Sequence, residues 1–399
     1  MRRKQVTFWI LFLAYTSIYI ARLNLSMASP SLIAESRLNA AQVGFLGSIF
    51  STVYSVGRLL NGAASDTTPP WRMLTLGLAV AGISNLLIGF FPPYLGIFVL
   101  WMTNAYAQSM LWSSVLSVVT RLYGKAAKRK MSVMVTSVAV GNILGIVLNT
   151  WFITRLGVSY AFFLPGAITI ILCVLTFFAT RKIPPAAEEK SEHISFFSLL
   201  RQRELLGMIF PAAFHGVMKE NISLWMAVFF IDRYAVNLNT TSYYVLLIPV
   251  IGLVGRVLYP IAFRACGDRE HRVSMLGFLV CVLASAVLLI GKIGILAAAL
   301  ALGLIYTAVS MINTSFLSIY PLHYAKTHNE AAVSGIMDFA TYLGAGISSA
   351  IYGKVIQHFG YLPMFLSWTV ISALSLMILK NFAGKKEVIQ YEKNDSKMV

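Results

Sequence analysis

Apolar stretches of about 20 residues recur along the whole chain, starting near positions 7, 42, 72, 94, 131, 159, 205, 240, 272, 294, 331 and 361. Each is long enough to cross the ~30 Å hydrocarbon core of a bilayer. In lipid the backbone must satisfy its own hydrogen bonds, so stretches of this length and spacing are expected to be helices. Charged residues make up only 12% of the 399 residues, about half the share typical of soluble domains. The expected fold class is therefore an all-α membrane protein with 12 transmembrane helices. No cleavable signal peptide is expected, because the first apolar run is too long and lacks a small-residue cleavage pattern.

The formal net charge is +17, a value that raises the question of nucleic acid. The placement of the charge argues against it. Lysine and arginine crowd the loops on the side that holds both termini, beginning with "MRRK", whereas the opposite loops hold Arg37, Arg155, Arg233, Lys292 and Lys354. That asymmetry puts both termini in the cytoplasm and makes the basic surplus a matter of topology and of contact with anionic lipid headgroups. Cys173, Cys266 and Cys281 show neither CxxC nor metal-ligand spacing, so no metal site and no disulfide framework are expected.

The longest polar stretch, "TRKIPPAAEEKSEHISFFSLLRQREL", lies between spans six and seven. It divides the chain into an N-terminal six-helix bundle (1–182), a cytoplasmic linker (183–204) and a C-terminal six-helix bundle with a short tail (205–399). An internal repeat supports this division. "RLNLS" at 22–26 returns as "KENIS" at 219–223, and "GRLL" at 57–60 returns as "GRVL" at 255–258. Gly141, Gly157 and Phe162 likewise recur as Gly344, Gly360 and Phe365. The matches run in order at nearly constant offset, as expected for two pseudo-symmetric six-helix bundles related by an axis along the membrane normal.

Six ionisable residues fall inside the spans: Arg22, Arg58, Lys219, Glu220, Arg256 and Asp338. A central Arg or Lys exposed to lipid costs roughly 2.5–3.5 kcal/mol on insertion scales, so these cations should line a wet cavity or be paired. Arg22 and Lys219 are repeat mates near mid-depth, and two such cations invite an anion. Tyr15 and Tyr19 precede Arg22 by seven and three residues on one helical face, and Tyr54 and Arg58 share a face in span two. Phenols can orient phosphate oxygens in a partly dry pocket. His215 stands one turn before Lys219, where donation to an anion, proton relay and plain packing are all open. Glu220 is a candidate partner for Lys219 and Asp338 for either cation of the second half, and both are candidates for proton coupling. Arg58 and Arg256 lie nearer the cytoplasmic ends of their helices, where long basic side chains snorkel or gate.

Twelve spans arranged as six plus six resemble the major facilitator superfamily, and the loop "GAASDTTPPWR" (62–72) is similar to its G-x-x-x-D signature at Gly62 and Asp66. Thr67 replaces the usual arginine, and Arg72 closes the loop. The arginine in span one with its two tyrosines, the Tyr-x-x-x-basic pair in span two and the basic residue in span seven resemble the organophosphate:phosphate antiporter family. "NAYAQSMLW" (104–112) and "DFATYLGAG" (338–346) are similar to it as well. The resemblance implies that Arg22 and Lys219 clamp a phosphoryl group, that Tyr15, Tyr19, Tyr54, Arg58 and Tyr342 line the pocket, and that Gly62, Asp66, Arg72 and Arg256 belong to gating loops and helix ends. Two departures stand out. Span seven carries a lysine where glycerol-phosphate members carry arginine, and Val138 stands where those members place a pocket histidine.

The expected function is secondary active transport of a small organic anion, a phosphate ester such as a sugar phosphate or glycerol phosphate, exchanged for inorganic phosphate by alternating access. The alternative is proton-coupled symport of carboxylates, for which "RLNLSMASP" also resembles an anion:cation symporter branch. A sugar-phosphate sensor is the third reading. No cofactor, no catalytic residue and no nucleic-acid partner are expected: the chain lacks GxxxxGK[ST], HExxH and GxSxG patterns. The expected location is the cytoplasmic (inner) membrane of a prokaryote as a multi-pass monomer.

Overall fold

The computed structural model describes residues 2–183, 202–290, 292–327 and 330–395. The predicted linker therefore lies largely outside the described residues. Helices dominate: α1 (Arg2–Ala34), α2 (Ala40–Thr67), α3 (Pro70–Ile88), α4 (Tyr94–Ser109), α5 (Leu111–Tyr123), α6 (Ala127–Arg155) and α7 (Tyr160–Thr180) make up the first half. The second half contains α8 (Arg203–Tyr234), α9 (Leu238–Ala265), α10 (Glu270–Leu288), α11 (Ile295–Thr314), α12 (Glu330–Phe359) and α13 (Leu362–Asp395). Span four is the broken pair α4 and α5, which gives twelve helical spans among the described residues. Nine of them are long and apolar enough to cross a membrane. The other three are the broken span and the helices α8 and α12, which carry Lys219, Glu220 and Asp338.

Local sequence sets the helix ends. Asn39 caps α2: its side chain accepts from the Gln42 amide at 2.8 Å while Gln42 Oε1 accepts from the Asn39 N–H at 2.9 Å, a reciprocal capping box. Pro70 occupies the first turn of α3, where its missing N–H costs nothing. Gly157, between α6 and α7, has φ +111°, and its repeat mate Gly360, between α12 and α13, has φ +71°. Both turns need the left-handed backbone that glycine tolerates.

The helices are inverted in polarity, as lipid requires. On α3 Leu76, Ile83 and Leu87 are exposed while Gly77, Ala81, Ser84 and Asn85 are buried. Large apolar side chains thus face the surroundings, and small and polar ones face the interior, where close approach and interhelical hydrogen bonds hold membrane helices together.

The described residues fall into two compact units. The first draws on Met1–Lys190, Asn221–Pro249 and Gly346–His358. In it α1 packs on α6 and α7, and α3 on α4 and α7, around a core that includes Tyr15, Ile18, Leu78, Leu111, Val118 and Met134. The later segments join by directional bonds: Ser26 Oγ donates to the carbonyls of Ser223 and Leu224 (2.5 and 3.1 Å), Asn221 Nδ2 to Ser348 Oγ (2.8 Å) and the Ala41 amide to Gln357 Oε1 (3.1 Å). The second unit draws on Ser191–Glu220, Val250–Ala345 and Phe359–Val399. There α10 packs on α11 and α13, with a hydrogen bond between Ser285 Oγ and Thr369 Oγ1 (2.9 Å). After α11 the chain widens into a π-turn (Ser315–Ile319) and tightens into a 3-10 stretch (Tyr320–Thr327). This region is tied down by Tyr259 on Ser315 (3.0 Å) and by His323 Nε2 on Glu270 Oε1 (2.8 Å).

Repeat-related residues make equivalent contacts. A Cβ on Gly141 would lie 2.6 Å from Tyr19 Cβ and 2.8 Å from the Thr16 carbonyl, so α6 rests directly on α1. Its mate Gly344 meets the Ala213 carbonyl on α8 in the same way, and Gly216 meets the Thr341 carbonyl. Gly141→Val should therefore push α6 off α1 and displace Tyr19. Overpacking of this kind costs about 1–3 kcal/mol, to be read as a lowered melting temperature in detergent. An unchanged melting temperature would show that α6 is not seated at this point.

Candidate anion site

In the first unit one face of α1 presents Tyr15, Tyr19 and Arg22. Tyr15 and Tyr19 lie with ring centroids 5.6 Å apart, and Trp112 of α5 lies 5.1 Å from Tyr15. The Arg22 guanidinium sits 4.7 Å from the Phe50 ring, 4.9 Å from the Tyr54 ring and 5.9 Å from the Tyr19 ring. Phe50 and Tyr54 are four apart on α2 and stacked at 6.0 Å. The Arg58 guanidinium stands 6.0 Å from the centre of the Tyr54 ring. Aromatic faces hold the planar cation by cation–π attraction, about 0.5–2 kcal/mol per contact, and the N–H edge of a guanidinium is suited to an anion's oxygens. Through residue 182 the sequence holds only two carboxylates, Glu35 and Asp66. Glu35 is bound to Arg37 at 2.7 Å, and Asp66 falls on the last turn of α2.

The structure thus brings Tyr15, Tyr19, Arg22, Tyr54 and Arg58 into one cluster and adds Phe50 and Trp112, which the sequence did not single out. Phe50 could have been found by its i, i+4 relation to Tyr54. Trp112 ends the stretch "NAYAQSMLW", but its contact with Tyr15 lies beyond a helix break that periodicity does not reveal.

In the second unit Lys219 Nζ is 3.1 Å from Glu220 Oε1, with side chains 25% and 16% exposed, and 5.1 Å from the Tyr342 ring. The pairing that the sequence left open is therefore made. Asp338 is half-buried one turn before Tyr342 on α12. His215 is completely buried, and neither ring nitrogen has a hydrogen-bond partner among the described residues. Of the remaining sequence candidates, Arg256 is exposed, Arg72 packs over Trp71 at 5.3 Å, and Gly62 lies near the C-terminal end of α2. Among the described residues no three His, Cys, Asp or Glu side chains are grouped as metal ligands.

A half-buried guanidinium among aromatic rings and a half-buried ammonium beside a carboxylate can bind an anion. Residues 11–318 match the family model described as Major Facilitator Superfamily. A "Probable hexose phosphate transport protein" of Chlamydia trachomatis is 24% identical over 428 residues, covering 93% of this chain and 89% of the relative. The "Membrane sensor protein UhpC" of Escherichia coli is 31% identical over 109 residues, 27% of this chain and 24% of the relative. Among solved structures, a bacterial homologue of the human lysosomal transporter Spinster, inward-facing and unoccupied, superposes with a TM-score of 0.75 over 96% of both chains at 14% identity, which supports the fold. The chain belongs to the major facilitator superfamily, as a multi-pass membrane transporter that resembles the organophosphate:phosphate antiporter family.

Proposed function

We propose that this protein exchanges a phosphate ester of the sugar-phosphate or glycerol-phosphate type for inorganic phosphate by alternating access. The observation that carries the reading is Arg22: a half-buried guanidinium seated on Tyr19, Phe50 and Tyr54 inside a membrane-spanning helix. A phosphate monoester near neutral pH carries about −1.5 to −2 charges and three acceptor oxygens, and an arginine fork can hold two of those oxygens at once. Arg22 takes the phosphoryl group, Lys219 takes part as its repeat-related counterpart, and Tyr15, Tyr19, Tyr54 and Tyr342 supply hydroxyls and apolar walls. The similarity to a chlamydial protein named for hexose phosphate supports the same substrate class. The protein works as a monomer in the cytoplasmic membrane of a prokaryote, with both termini in the cytoplasm.

The Lys219–Glu220 ion pair favours one second reading, proton-coupled symport, because a carboxylate beside a substrate cation can titrate with transport. Counterflow in proteoliposomes separates the two. Vesicles loaded with labelled phosphate should release it on addition of external phosphate esters, not of dicarboxylates, and a protonophore should leave the rate unchanged. Uptake of a labelled carboxylate into vesicles loaded with no phosphate, abolished by the protonophore, would instead establish symport.

A further inference from the structure

The turn of α1 that carries Arg22 is held on two sides by buried amides. Two residues before it, the Ile20 carbonyl accepts a hydrogen bond from Asn149 Nδ2 of α6 at 3.0 Å. Two residues after it, Asn24 Nδ2 donates to Asn85 Oδ1 of α3 at 2.6 Å, while Asn24 Oδ1 accepts from the Leu25 amide at 2.7 Å. Asn85 Nδ2 donates in turn to the Ala81 carbonyl of its own helix at 2.8 Å and lies 3.5 Å from Asn104 Oδ1 of α4. Asn24, Asn85, Asn104 and Asn149 are all 0% exposed.

Packing alone does not require these groups. Exchanging both partners of a buried hydrogen bond for apolar side chains of similar shape is close to neutral for stability. The glycine seam between α1 and α6 gives the amides a purpose. Along α6 the residues Ser137, Gly141, Gly145 and Asn149 fall at four-residue spacing and face α1: Gly141 meets Thr16 and Tyr19, and Gly145 meets Ile20 and Leu23. Glycines bring no side chains of their own to interlock with α1, and the Thr16 Oγ1 contact with the Ser137 carbonyl in this seam is long, 3.5 Å. One residue of slide is about 1.5 Å with a turn of about 100°, enough to carry Arg22 off the rings of Phe50 and Tyr54. The same slide breaks hydrogen bonds of 2.6–3.0 Å.

We infer that Asn24, Asn85 and Asn149 are positioning residues for Arg22: an amide clasp across α3, α1 and α6 fixes the axial register of α1 and so aims the guanidinium. The inference rests on the reading of Arg22 as the anion's ligand, but its first test is independent of transport. Asn85→Leu and Asn149→Leu each open one arm of the clasp at similar volume. In variants that keep the wild-type melting temperature, modification of Arg22 by phenylglyoxal, measured by peptide mass spectrometry against the exposed Arg256 as internal reference, should rise severalfold. The KM for phosphate in exchange should rise about tenfold with little change in maximal rate, the pattern of a misaimed binding group. Should the leucine variants fail to fold, Asn24→Ser, which keeps a small polar side chain, is read in the same way. Arg22 labelling at the wild-type rate in any folded variant overturns the clasp, whatever the exchange assay gives. Raised labelling in a protein whose wild type exchanges no phosphate keeps the clasp and overturns the phosphate reading.

Discussion

Arg22→Lys should lower phosphate exchange by about 100-fold while the melting temperature in detergent stays close to wild type. The substitution keeps the charge but removes two things that the structure gives to the guanidinium. One is the planar face that lies 4.7 Å from Phe50 and 4.9 Å from Tyr54; an ammonium is a point charge, more strongly hydrated and less suited to stacking. The other is the fork, which can offer two parallel N–H donors to two phosphate oxygens. A hydrogen bond between charged partners contributes about 1.5–3 kcal/mol, and about 1.4 kcal/mol is a factor of ten, so one lost donor plus the lost stacking reaches about two orders of magnitude. Stability should change little, because lysine's stem fills much of the same space and the residue is only half-buried. Initial rates of phosphate exchange by the purified variant, set beside its thermal unfolding, check both halves. Exchange at the wild-type rate would remove Arg22 from the site.

Periodicity and charge in the sequence carry most of this architecture, and the reasons differ by element. Span number follows from length and apolarity, since a lipid-facing helix must be apolar over its whole length. The internal repeat was legible from a few motifs, and it reappears as geometry: Gly141 on Thr16 and Gly344 on Ala213, and the left-handed turns at Gly157 and Gly360. The cation with its same-helix tyrosines was legible because the i, i+4 and i+7 positions share a face. Three features were not. The break of span four at Met110 leaves no proline or glycine signature, and it hides how Trp112 reaches Tyr15. The choice of partner for Lys219 depends on side-chain rotamers, because successive helical positions diverge by about 100°. The amide clasp joins residues 24, 85 and 149, whose separations in the chain carry no period at all. Polar residues inside apolar spans mark only that something interior is bonded, not to what.

Lys219→Ala should abolish exchange and also destabilise the protein, and the two effects can be separated through Glu220. The ammonium lies 3.1 Å from Glu220 Oε1, with the two side chains only 25% and 16% exposed. Removing the lysine takes away the cation proposed for phosphate and deprives a largely buried carboxylate of this partner. Breaking a fully buried pair costs about 3–5 kcal/mol, and the residual exposure here makes the cost smaller. Lys219→Ala/Glu220→Gln removes both charges, so its melting temperature should return toward wild type while exchange stays lost by about 100-fold, the scale of a missing charged contact to substrate. Glu220→Gln alone keeps the ammonium and should exchange phosphate within a fewfold of wild type. If proton coupling through Glu220 operates instead, that single variant loses accumulation while Lys219 is intact. A double variant that recovers exchange together with stability would mean that Lys219 serves only to neutralise its neighbour, and the second cation would have to be sought elsewhere.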